Sequence, residues 1–81
     1  MDKDKKLKPF EVRSYCKKQL MQFYDIKIDL LNAWMEAIKD ELGKKLGRDY
    51  TPRQVLIILK NCGVPQGYYL TEETLDAIAH L

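Results

Sequence analysis

The stretch KKQLMQFYDIKIDLLNAWM, residues 17 to 35, decides the fold. Cys16, Leu20, Phe23 and Tyr24 fall at i, i+4, i+7 and i+8, the spacing that lines one face of a helix with apolar groups. Lys18 and Gln22 stay outside that stripe, and Ser14 stands where an N-cap would. Residues 25 to 28 break the pattern. A second helix is expected to start near Asp29, a good N-cap residue, and to bury Leu31, Trp34, Met35, Ile38 and Leu42. Gly43 and Gly47 both offer it a stop. A short helix, a tight break and a second helix form the outline of a helix-turn-helix.

Working outward, PFEVRSY alternates, with Phe10 and Val12 on one side and Glu11 and Arg13 on the other, which suits a short strand or extended arm. In DYTPRQVLIILKNCG, Thr51 caps a third helix, Pro52 takes the first helical position and Gln54 completes a capping box. Tyr50 and Val55 can staple across that start. Val55, Ile58, Leu59 and Cys62 face the core, and Gly63 with Pro65 ends the helix. Thr71 caps a last helix whose Glu72 and Glu73 suit the positive end of the helix dipole. There Leu70 can staple to Leu75, with Leu75, Ile78 and Ala79 turned inward. VPQGYYL between the last two helices reads as a loop or short extended segment. Arg48 to Tyr50 is placed to pair with the first extended segment.

The expected fold is therefore mainly α: a small helix-turn-helix-like, winged-helix-related domain of about four helices with a minimal two-stranded element. Residues 1 to 8 form a disordered basic arm and residues 9 to 81 a single helical domain. Trp34 is expected near the centre of the core, beside Leu20, Phe23, Ile38, Val55 and Leu59.

Eighty-one residues allow one domain, with 46% hydrophobic residues to fill a small core. Chains of this size bury only roughly 60% of their unfolded surface. No apolar run approaches the roughly 20 residues of a membrane span. MDKDKKLK is followed by no apolar stretch, so no signal peptide is expected and a cytoplasmic location is the default. Cys16 and Cys62 are far apart and form no CxxC pair; each is read as a free core thiol, although sequence alone leaves a disulfide open. The net charge of +2 is uneven: residues 1 to 18 carry seven basic groups against three acids.

The pattern FEVRSYCKKQLMQFY, then AWMEAI, then YTPRQVLIILKNCGVP, resembles the domain of unknown function 4248 family, short proteins of gut Bacteroidales. The likeness spans roughly residues 10 to 65 and rests on R-S-Y, the central Trp and Y-T-P-x-Q-V. It implies a fold more than an activity. A weaker likeness is to the DNA-binding half of MerR-type and excisionase-type regulators, carried by helix, turn, Trp-bearing helix and then Y-T-P opening a helix. In those proteins a wing follows the Trp-bearing helix. Here MEAIKDELGKKLG follows instead and reads as helical.

No enzyme is expected. His80, the single histidine, stands at the second-last position with no nucleophile and base arranged around it. No phosphate-cradling glycine loop and no zinc-site spacing of Cys and His is present. No cofactor, metal or small-molecule substrate is implied. The outer face of the second helix carries Asp29, Ala33, Glu36 and Asp40, with Asn32, Lys39 and Lys44 beside them; its carboxylates oppose entry into a DNA groove, although Asn32 has the chemistry to read adenine. Nucleic acid would instead be held through phosphates by Arg13, Lys17, Lys18, Lys44, Lys45, Arg48 and Arg53. Against this, Asp40 with Lys44 and Glu41 with Lys45 form i,i+4 pairs if the helix extends so far. The alternative is a protein-interaction or self-associating module using the third helix and the C-terminal segment. Its contacts would be Met21, Ile57, Tyr68 and Tyr69, where Ile57 is expected to point outward unless the last helix folds over it.

Overall fold

The computed structural model describes residues 6–44 and 47–81. The chain is mainly helical. In order it runs β1 (Lys8–Pro9), α1 (Lys17–Tyr24), α2 (Ile28–Ala37), α3 (Lys39–Leu42), α4 (Pro52–Cys62), β2 (Tyr68–Tyr69) and α5 (Glu72–Ala79). α4 is central and packs against α3 on one flank and α5 on the other, while α2 touches both α1 and α3. Leu20, Leu31, Met35, Val55, Ile58 and Leu59 meet in the core, as the helical spacing predicts.

The best-signalled helix start is realised in full. Thr51 Oγ1 accepts from the Gln54 N–H at 3.2 Å, and Gln54 Oε1 accepts from the Thr51 N–H at 3.0 Å. Two backbone donors that the helix cannot satisfy itself are thereby paired. Thr71 caps α5 in the same sense, accepting from the Thr74 N–H at 3.2 Å.

Other starts move. α1 is capped at Cys16 instead of Ser14, because the Gln19 side chain accepts from the Cys16 N–H at 3.0 Å and closes the turn there. α2 begins from Lys27, not Asp29. Asp25 takes the left-handed conformation, φ 56°, and ends α1, so only Ile26 and Lys27 are needed to reverse the chain. Asp29 falls inside the first turn, where its charge still suits the dipole.

The expected continuous second helix is two helices. Ile38, at φ −115° and ψ 17°, leaves the helical register; its N–H reaches back to the Met35 carbonyl at 3.3 Å, and its carbonyl then accepts from Leu42 at 2.8 Å to start α3. This break has consequences for two expectations. The helix ends at Leu42, so the Asp40–Lys44 pair does not form; Glu36 bonds Lys39 at 2.8 Å and Glu41 bonds Lys60 and Asn61 of α4. Lys45, the partner expected for Glu41, lies outside the described residues. Ile57 is also not outward: it is 2% exposed. On α4 it lies between Gln54 and Asn61, which bond to Leu42 and Glu41 respectively, so α3 is the element that covers it.

Trp34 is half-buried at the edge of the core. Its ring meets Tyr24 edge-on at 5.2 Å, and it borders a shallow surface cavity with Ile38 and Cys62. On α2 the buried residues are Leu31 and Met35, one turn apart. In α5 the inward group is Thr74 with Ala77 and Ile78; Leu75 is 52% exposed and Ala79 is exposed, so neither of these two turns inward as expected. Thr74, the buried residue of this helix, accepts from the capping Thr71 hydroxyl at 3.1 Å.

The strand pairing also differs from expectation. β1 pairs with β2 in parallel, Lys8 opposite Tyr68 and Pro9 opposite Tyr69, so Lys8 belongs to the fold and not to an arm. Residues 10 to 13 are not strand, yet their alternation is real: Phe10 is buried, Val12 packs on the core, and Glu11 and Arg13 are exposed. The 48–50 segment contributes only an antiparallel bridge, Tyr50 with Tyr15, with mutual backbone bonds of 2.8 and 3.2 Å. Cys16 and Cys62 are free and half-buried, and burial pushes the Cys62 thiol up from its ordinary value.

Candidate functional site

The Tyr15–Tyr50 bridge positions the clearest charged cluster. In an antiparallel pair, residues that follow one partner lie against residues that precede the other. Cys16, Lys17, Lys18 and Gln19 therefore meet Arg48 and Asp49, and together they border an open depression of about 600 Å³. Lys17 is half-buried and donates to Asn32 Oδ1 of α2 at 3.0 Å, so the amide oxygen of Asn32 is already engaged. Lys18 and Arg48 are exposed and form no ion pair among the described residues.

The remaining expected cations are dispersed. Arg13 lies over the Tyr15 ring, its guanidinium carbon 5.4 Å from the centroid, within cation–π range. Lys44, which follows α3, and Arg53 of α4 are exposed; the Gln54 amide donates to the Lys44 carbonyl, and Arg53 adds only a minor pull to the lowering of the Glu41 carboxyl that Lys60 and Asn61 dominate. Lys45 lies outside the described residues. The outer face of α2 keeps Asp29, Ala33 and Glu36 exposed.

Beside the depression, sharing Gln19 with it, runs a groove of about 490 Å³ that the sequence reading did not find. One wall is the extended segment through Glu11 and Arg13; the other is α1 through Gln22 and Phe23; Gln66 and Tyr68 close the end. Its floor belongs to an aromatic cluster. Phe23 contacts Phe10, Tyr15 and Tyr68 at centroid separations of 5.0, 5.0 and 5.4 Å, all edge-on. The signal that would have disclosed it is the alternation itself. Glu11 and Arg13 share the side opposite Phe10 and Val12, and three glutamines in an 81-residue chain face the same space. Burial raises the Tyr15 hydroxyl above its ordinary value, opposed by Arg13, and that hydroxyl donates to the Glu11 carbonyl at 2.6 Å.

Of the residues expected to meet a protein partner, Ile57 is buried and Met21 is half-buried against the core. Tyr68 is half-buried in β2, and Tyr69 beside it is exposed. No described helix is long and apolar enough to cross a membrane.

The fold and its clefts define a small, mainly α domain with a two-stranded parallel element and a basic surface beside an aromatic groove. Comparisons with protein-family models, with curated proteins and with solved structures give no match.

Proposed function

We propose that this protein is a small cytoplasmic nucleic-acid-binding, regulator-like module whose contacts are dominated by phosphate. The observation that carries this is the convergence of Lys17, Lys18 and Arg48 on one depression at the start of α1. Cations grouped on one surface attract a polyanion and hold it without reading sequence. The start of α1 adds the positive end of a helix dipole to the same place. The acidic and apolar outer face of α2 argues against insertion of that helix into a groove, so the contact is a surface grip. The likeness to the domain of unknown function 4248 family and to MerR-type regulators is compatible with such a role and is proposed with it.

The test is fluorescence anisotropy of labelled, mixed-sequence duplex DNA at about 50 and 200 mM salt, the range over which phosphate contacts weaken steeply. Binding that falls with salt and is lost in Lys18→Glu with Arg48→Glu is the expected result. No binding at about 100 μM protein in low salt refutes the proposal.

A second reading, a protein-interaction or self-associating module, is favoured by a different surface from the one expected. Leu30, 45% exposed, lies one turn from half-buried Trp34 on α2, with Ala37 beyond it. Light scattering that shows a dimer, reduced to monomer by Leu30→Glu, would support it.

A further inference from the structure

We infer that the preferred ligand is a single-stranded nucleic acid, with one unstacked base held in the groove between the 9–13 segment and α1 while its flanking phosphates lie on Lys18 and Arg48. This rests on the phosphate-binding proposal above and extends it from charge to ligand form.

Three observations converge. The groove and the basic depression both border Gln19, so they lie side by side on one surface, within reach of one strand. The groove, about 490 Å³, lies within the size range of small-ligand sites. Its lining has the chemistry of base recognition: Phe23 and Tyr68 are half-buried ring surfaces, and the Arg13 guanidinium lies over Tyr15, its carbon 5.4 Å from the ring centroid. Aromatic rings and guanidinium planes are the surfaces on which splayed bases stack.

The polar groups suit a base edge: the groove offers glutamine amides and a carboxylate, with Arg13 the single cation among them. Gln22 and Gln66 each present both a donor and an acceptor to the groove, as base edges require. The Glu11 carboxylate repels phosphate but accepts hydrogen bonds from an exocyclic amine. Charge is thus uneven: in the groove the Glu11 carboxylate is offset by Arg13, whereas in the depression beside it Lys17, Lys18 and Arg48 outnumber Asp49. A duplex cannot use the groove, because its bases are stacked and paired.

The experiment compares a labelled single strand of about 12 nucleotides with the same strand in duplex, a length within the usual site size. Wild-type protein should bind the single strand at least about tenfold more tightly, the scale of one base–aromatic stack. Phe23→Leu should erase that preference and leave duplex binding unchanged. Because Phe23 also packs against the core, Gln22→Ala with Gln66→Ala provides a second test on exposed residues and should reduce the preference in the same direction. Equal affinity for the two forms, or a preference for duplex, overturns the groove assignment and leaves the phosphate proposal standing. A single-strand preference that survives both groove variants also overturns it. Binding of neither form overturns both.

Discussion

Replacing Gln54 by alanine should destabilise this protein far more than an ordinary helix-cap substitution. Gln54 is nearly fully buried, and its amide makes three hydrogen bonds: Oε1 accepts from the Thr51 N–H at 3.0 Å, and Nε2 donates to the Leu42 and Lys44 carbonyls at 3.1 Å each. Each neutral bond contributes about 1 kcal/mol net, and a buried carbonyl left without its donor costs about 1–3 kcal/mol. The Leu42 bond is buried, so Gln54→Ala should cost about 3–4 kcal/mol in all. Thr51→Ala removes only the bond from the Gln54 N–H and should cost about 1 kcal/mol. In a domain of this size each kcal/mol lowers Tm by about 4–8 °C, so the two variants should separate by at least about 8 °C in circular dichroism melts. Gln54→Glu keeps the acceptor and loses both donors, setting a carboxylate against two carbonyls. That raises its folded-state pKa above the ordinary glutamate value of about 4.3, so its stability should be highest below that pH and fall as pH rises through the raised value. Equal melting temperatures for Gln54→Ala and Thr51→Ala would refute the argument that this amide fastens the end of α3 to α4.

Three further outcomes are expected. Gly63, which ends α4 at φ 89° and ψ −177°, occupies backbone space that disfavours any side chain, yet nothing lies within 4 Å of an added Cβ; Gly63→Ala should therefore lose about 1–3 kcal/mol from backbone strain alone in urea unfolding. The hydrogen bond from Lys60 to Glu41, followed by that from Asn61, holds the Glu41 carboxyl below its usual range. A depressed folded-state pKa gives stability that is present above about pH 4.3 and lost as pH falls, so Tm should drop more steeply in acid for wild type than for Glu41→Gln, and parallel pH profiles would contradict this. Burial raises the Tyr24 hydroxyl well above its ordinary value, with Cys62 adding to the effect, and this hydroxyl donates to the Gly63 carbonyl at 2.7 Å. Burial also raises Tyr15 and Tyr50, so ultraviolet titration should show a late-ionising tyrosine component that shrinks by one residue in Tyr24→Phe, at a stability cost of about 1 kcal/mol.

Much of the fold is legible locally. Thr51 and Gln54 announce α4 within four residues, Thr71 announces α5, and the stripe of Leu20, Leu31, Met35, Val55, Ile58 and Leu59 identifies the inner faces. Those signals act through bonds and contacts inside one helical turn, so the order of residues specifies them. The candidate site is less legible. The cations Lys17, Lys18 and Arg48 can be named from sequence, but nothing local says that those three meet while Arg13, Lys44 and Arg53 do not.

By itself the sequence determined a mainly α domain, its two threonine-capped helices, its stop at Gly63 and an uneven charge. Only tertiary structure decided the break at Ile38, the burial of Ile57 under α3, the retreat of Trp34 to the rim and the parallel pairing of Lys8–Pro9 with Tyr68–Tyr69. The physical reason is common to all of these. Caps and stripes are satisfied by neighbours in the chain, whereas a strand partner, a covering helix or a shared groove is chosen by competition among distant segments for the same buried area and backbone hydrogen bonds.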